Sequence, residues 1–103
     1  MTAPLNEIEK IALELVKADW DLPKTTDFIS SETEVVNLLS KAISHLLDRD
    51  FERLLQICYR IDLGEEKLQK ILHESEPDQI SMDLAKALWE RQKQKAEIRR
   101  KYS

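Results

Sequence analysis

Glycine occurs once in this chain of 103 residues, cysteine once and proline three times. A single glycine leaves no room for a phosphate-cradling loop or a nucleophile elbow, both of which need several. So few turn residues also favour a handful of long helices over many short strands. Cys58, alone, has no partner for an internal disulfide, and the first residues lack the basic-then-apolar pattern of a secretory signal. No apolar run exceeds three residues, too short for a membrane-spanning helix. A cytoplasmic protein with no membrane association is expected.

What is present is charge. Charged residues make up 35% of the chain and hydrophobic residues 42%, against typical values of about 25% and about 45–50%. At this length one small core is expected, covering roughly two-thirds of the unfolded surface. The charge is unevenly placed. Residues 1–48 hold four basic against nine acidic side chains and residues 49–88 six against nine, while residues 89–103 hold six Lys or Arg against two Glu. An acidic protein therefore ends in a segment of net charge +4.

Apolar spacing is helical almost throughout. Helix one is expected over about residues 4–18, with Pro4 in its first turn or, alternatively, with Asn6 and Glu9 as a capping box. Residues 19–30 carry no helical period but do carry Trp20, Leu22, Pro23, Phe28 and Ile29. Ser31 and Glu34 read as the cap of helix two, whose wide stripe from Val35 to Leu47 suits a central helix. Helix three follows Asp48–Asp50 and shows Phe51, Leu54, Leu55, Cys58 and Ile61. Gly64 is expected to end it in a left-handed conformation, with Asp62 and Glu65 capping a short helix four over about 64–74. Pro77 opens helix five, whose apolar stripe nearly stops after Trp89. The fold class is thus all-α, a small bundle of about five helices with a long charged C-terminal helix. The expected division is a helical domain over 1–90 and a basic extension over 91–103.

No residues converge on a catalytic or metal chemistry. Cys58 lies on the apolar stripe of helix three, three residues from Leu55 and Ile61, the setting of a structural cysteine. His45 with Asp48 and His73 with Glu76 are only i,i+3 pairs, whereas zinc needs three or four converging ligands. No enzyme activity, metal or cofactor is expected. Helices three and four superficially resemble a helix-turn-helix, but the groove-facing positions would be Glu65 and Glu66, which a polyanion repels.

The basic ending admits two readings. Six cations on one helix suit phosphate binding, and a nucleic-acid-associated protein is the alternative function. Against it stand a pI near 5.2 and Tyr102 as the one aromatic of the tail after Trp89. The favoured reading is docking onto protein. Leu84, Leu88, Arg91, Lys95, Ile98 and Tyr102 follow a 4-3-4-3-4 spacing, a narrow seam on which Arg91 and Lys95 stems cover a neighbour. That neighbour is helix one, a second copy or another protein. Trp20, Leu22 and Phe28 are expected to lie across the bundle and close its end; the alternative, if they stand exposed, is that Trp20 and Phe28 join Trp89, Arg91, Lys95, Arg99 and Tyr102 as an interface. The function expected is that of a non-catalytic interaction or self-associating module.

From about Leu46 to Tyr102, "DFERLL", Tyr59-Arg60-Ile61-Asp62 and the ending "ERQKQK…R…Y" resemble a family of short, all-helical, uncharacterised bacterial proteins. The resemblance implies a bacterial origin and makes the tetrapeptide and the tail parts of one recurring design. Physically, Arg60 and Asp62 are expected to form a structural ion-pair cluster with Arg91 or Arg99, whose charges complement Asp62.

Overall fold

The computed structural model describes residues 4–20 and 29–102. Among these the chain forms α1 (Glu7–Trp20), α2 (Glu32–Arg49), α3 (Phe51–Ile61), α4 (Glu65–Glu74) and α5 (Ile80–Tyr102), with no strand. The fold is the all-α bundle expected from the apolar period. Phe28 and Leu22 lie outside the described residues.

Local chemistry sets most boundaries. The Asn6 side chain accepts from the Glu9 N–H at 2.8 Å while Glu9 accepts from the Asn6 N–H at 2.8 Å. This reciprocal box satisfies two orphan donors, so α1 starts at Glu7 rather than at Pro4. Ser31 Oγ accepts from the Glu34 N–H at 3.3 Å and fixes the start of α2. Asp50 ends α2 and caps α3, accepting from the Arg53 N–H at 3.2 Å.

The turn after α3 reverses the expected roles of Asp62 and Gly64. Asp62, at φ 64°, is the left-handed residue, and its N–H and that of Leu63 return to the carbonyls of Tyr59 and Cys58. This pair of bonds is a Schellman closure, which commonly uses glycine at the left-handed position. Gly64, at φ 98°, stands two residues later and opens α4 without a side-chain cap. The reason for the exchange is Leu63, which the closure tucks into the core. Asp62 does not cap α4.

α5 is the element around which the others pack, a role its weak apolar stripe did not suggest; α2 and α1 make its main contacts, with smaller ones from α3 and α4. Val35, Leu39 and Ile43 of α2 are fully buried, as are Leu84, Ala85 and Leu88 of α5. α1 contributes Ala12, Leu13, Val16 and Trp20, and α3 contributes Leu54, Ile57, Cys58 and Ile61. Each large side chain so buried stabilises by about 1.5–3 kcal/mol. The core does not stop at residue 90, the expected domain edge. Gln92 and Ala96 are fully buried, so the packed domain runs one and a half turns into the supposed extension.

Candidate interaction surface at the end of the last helix

Three sets of contacts anchor α5, and together they decide which of its cations stay available. The first is centred on Glu32 in the opening turn of α2. Its Oε1 accepts from the Trp89 indole N–H at 2.8 Å and from Lys93 Nζ at 2.7 Å. Lys93 also reaches Glu90 at 2.8 Å. The hydrogen bond from Lys93, helped by that from Trp89, holds the Glu32 carboxyl below the ordinary glutamate range despite partial burial. Burial works against the Lys93 charge, yet its bonds to Glu32 and Glu90 prevail and hold the ammonium above the ordinary lysine value.

The second set joins α5 to the end of α1. Gln92 Nε2 donates to Asp19 Oδ2 at 2.9 Å. Gln92 Oε1 and the neighbouring Trp20 indole N–H have no hydrogen-bond partner among the described residues. Each such buried orphan costs about 1–3 kcal/mol, so this junction is held by packing more than by polar pairing.

The third set grips the α3–α4 turn. Arg91 Nε donates to the Asp62 carbonyl at 3.0 Å and Nη2 meets Asp62 Oδ2 at 3.3 Å. Lys95 Nζ lies 3.5 Å from the Arg60 carbonyl, where a cation complements the C-terminal end of a helix dipole. Arg60 turns away from Asp62, its Nη1 donating to the Asp19 carbonyl at 3.5 Å. Of the cations considered as partners for Asp62, Arg91 is the one that meets it. An exposed pair of this kind contributes at most about 1 kcal/mol.

Beyond Ala96 the character of α5 changes. Ile98 is 53% exposed and Tyr102 78% exposed. Arg99 and Lys101 are exposed, with the Lys101 ammonium 5.9 Å from the Tyr102 ring. Arg100 pairs with Glu7 of α1 at 3.2 Å. Seven residues of helix beyond Lys95 extend about 10 Å.

The residues expected at an interface therefore separate. Trp20 and Trp89, 6% and 2% exposed, belong to the core and do not line a surface. Their large apolar area packs against neighbouring helices, and the Trp89 N–H is already used by Glu32. Arg91 and Lys95 are half-buried and hold the α3–α4 turn. Arg99 and Tyr102 are left on the surface, joined by Ile98 and by Tyr59, itself 60% exposed at the end of α3. Glu32, Asp19 and Gln92 were not singled out by the sequence. Glu32 reads locally as an acidic first-turn residue, and nothing near it marks a lysine 61 positions away.

Several clefts lie elsewhere among the described residues. A groove of about 280 Å³ between α2 and α5 is lined by Val36, Asn37, Met82, Lys86 and Trp89. A more polar cleft beside α3 is lined by Asp19, Asp50, Glu52, Arg53 and Arg60. Cys58 is buried, and that burial pushes its thiol up to about 11. His45 and His73 are exposed, with His73 bonded to Gln69 at 2.9 Å. Among the described residues no group of three His, Cys, Asp or Glu is placed to hold a metal, and no helix is long and apolar enough to cross a membrane. No protein-family model, no curated protein and no solved structure matches this chain.

Proposed function

We propose that this chain is a non-catalytic protein-interaction module of the bacterial cytoplasm that meets its partner with the last two turns of α5. The observation that carries this reading is the contrast along one helix. Arg91, Lys93 and Lys95 are engaged within the molecule, whereas Ile98, Arg99, Lys101 and Tyr102 stand exposed after the core has ended. Tyrosine and arginine are enriched among residues that dominate binding energy, because they combine apolar area with directed polar contacts. Cytoplasmic residence is supported by the single buried thiol, which makes no disulfide.

The test is capture from native cell extract with the full chain and with Ile98→Ser/Tyr102→Ser, each split into nuclease-treated and untreated halves. The same proteins retained by the wild type in both halves, and lost with the variant, are the expected result. Recovery that collapses with nuclease would instead assign the end of α5 to nucleic acid.

A further inference from the structure

We infer that the partner presents an acidic, partly apolar segment, and that it docks on the shoulder formed where α5 rises past the end of α3. This rests on the interaction reading above and adds the chemistry of the occupant.

The shoulder is built by contacts already described. Arg91 and Lys95 hold the last turn of α3 through the carbonyls of Asp62 and Arg60. The backbone of Arg60, which follows Tyr59 in the last turn of α3, therefore sits beside Lys95, and the 4-3 spacing carries Ile98 and Tyr102 onward along the same face of α5. A segment lying there meets apolar area from Tyr59, Ile98 and Tyr102, all exposed. It also meets the positive charge of Lys95 and Arg99. Among the described residues Arg99 has no ion-pair partner, and Lys95 spends its hydrogen bond on a backbone carbonyl rather than on a carboxylate. Asp62 is paired with Arg91, and the Arg60 guanidinium points away, toward the cleft it shares with Asp19, Asp50 and Glu52. What the face offers is therefore the positive charge of Lys95 and Arg99 beside exposed aromatic area.

Charge decides among occupants. A second copy docking the same face about a two-fold axis would set Arg99 and Lys101 against themselves, and such like-charge juxtaposition disfavours association. A nucleic acid would be drawn to the tip but repelled by the rest of a chain of net charge −4, since the acidic surface begins within about one Debye length of it. A short acidic segment is small enough to feel the tip alone. Leucine or phenylalanine within it would meet Ile98 and the two rings.

The test is NMR titration of the full-length protein with three probes. One is a 14-residue helical peptide carrying Glu and Leu at i,i+4 spacing, the second is its Lys-for-Glu counterpart, and the third is a 14-nucleotide single-stranded DNA. The acidic peptide is expected to shift the amides of Tyr59, Arg60 and residues 95–102, to weaken with added salt, and to lose at least tenfold in affinity on Arg99→Glu or Tyr102→Ser. Both positions are exposed, so neither change disturbs the core. Tighter binding of the DNA, equal binding of the lysine peptide, or no shift by the acidic peptide at millimolar concentration would each overturn the inference. Sedimentation of the same samples separates the two failures. A dimer dissociated by Tyr102→Ser keeps the interaction reading and removes the acidic partner. A monomer that no probe shifts, and whose cellular capture Tyr102→Ser leaves unchanged, removes both.

Discussion

The two parts of α5, before and after Ala96, are built from similar residues and are used differently. Residues 91–96, RQKQKA, are nearly as polar as residues 97–102, EIRRKY. Yet the first stretch contains two fully buried residues and three cations tied to other helices, while the second contains only exposed ones. Polarity alone does not tell a structural segment from a surface one. What separates them is the presence of neighbours: α1, α2 and the α3–α4 turn hold the first stretch through Asp19, Glu32 and Asp62, whereas the second meets α1 at the surface through Glu7.

If the first stretch is structural, damage there has to be severe. Trp89→Ala removes the largest fully buried side chain and strands Glu32 without its indole donor. It is expected to cost about 3–5 kcal/mol, read from urea denaturation. That is a large share of the roughly 5–15 kcal/mol that holds such a domain together.

Glu32→Gln sharpens the comparison by keeping shape and removing charge. The Glu32 pKa is depressed in the fold, so its contribution is complete above the unfolded value, about 4.3, and fades as pH falls through the lower folded value. The wild type is expected to exceed the variant by about 1 kcal/mol at pH 7, and the two stability curves should draw together as pH falls below the unfolded value and through the lower folded one. Lys93 has the opposite sense: raised in the fold, its contribution is complete below about pH 10.4 and is lost as pH climbs past that point. The alkaline side gives way earlier for another reason. Burial raises the Cys58 thiol to about 11, so the unfolded chain ionises first, and stability should begin to fall above about pH 8.5. Native Cys58 is expected to resist thiol reagents at pH 8 and to react in denaturant.

A smaller effect is expected at the turn. Asp62→Ala should destabilise by about 1 kcal/mol, because alanine adopts the left-handed conformation poorly and the Arg91 pair is lost. Asp62→Gly gains conformational ease as it loses the pair and should fall within about 0.5 kcal/mol of wild type. Asp62→Asn isolates the charge, and any difference should shrink in high salt. At the tip, Ile98→Ser and Tyr102→Ser should leave stability unchanged within about 0.5 kcal/mol, as exposed positions do.

The same contrast explains how much the sequence disclosed. Five helices and the start at Ser31–Glu34 were legible, because a cap is written within four residues, while for α1 the Asn6–Glu9 box, the alternative start, prevailed over Pro4. The α3–α4 turn was half legible: a left-handed residue was expected, but at Gly64 rather than Asp62, since the deciding factor is the burial of Leu63 between them. The central role of α5 was hidden. Gln92 and Ala96 do not mark an apolar stripe, and Glu32 and Asp19 find their partners 57 to 73 positions away. Trp20 is buried, as its favoured reading had it, while Trp89 read as an interface candidate because aromatic residues suit both a core and a contact, and only burial separates the two. Arg99 and Tyr102 remain on the surface, as a tail reading anticipates.

The most direct measurement is the thermal stability of the chain ended after Glu97 compared with the full chain. The truncation removes the exposed side chains of residues 98–102 and the Arg100–Glu7 surface pair. A melting temperature within a few degrees of the full chain, together with loss of partner capture, is the result expected of a surface segment. A collapse of the melting temperature comparable to that of Trp89→Ala would show that the last turns belong to the core, and would contradict the division of α5 at Ala96.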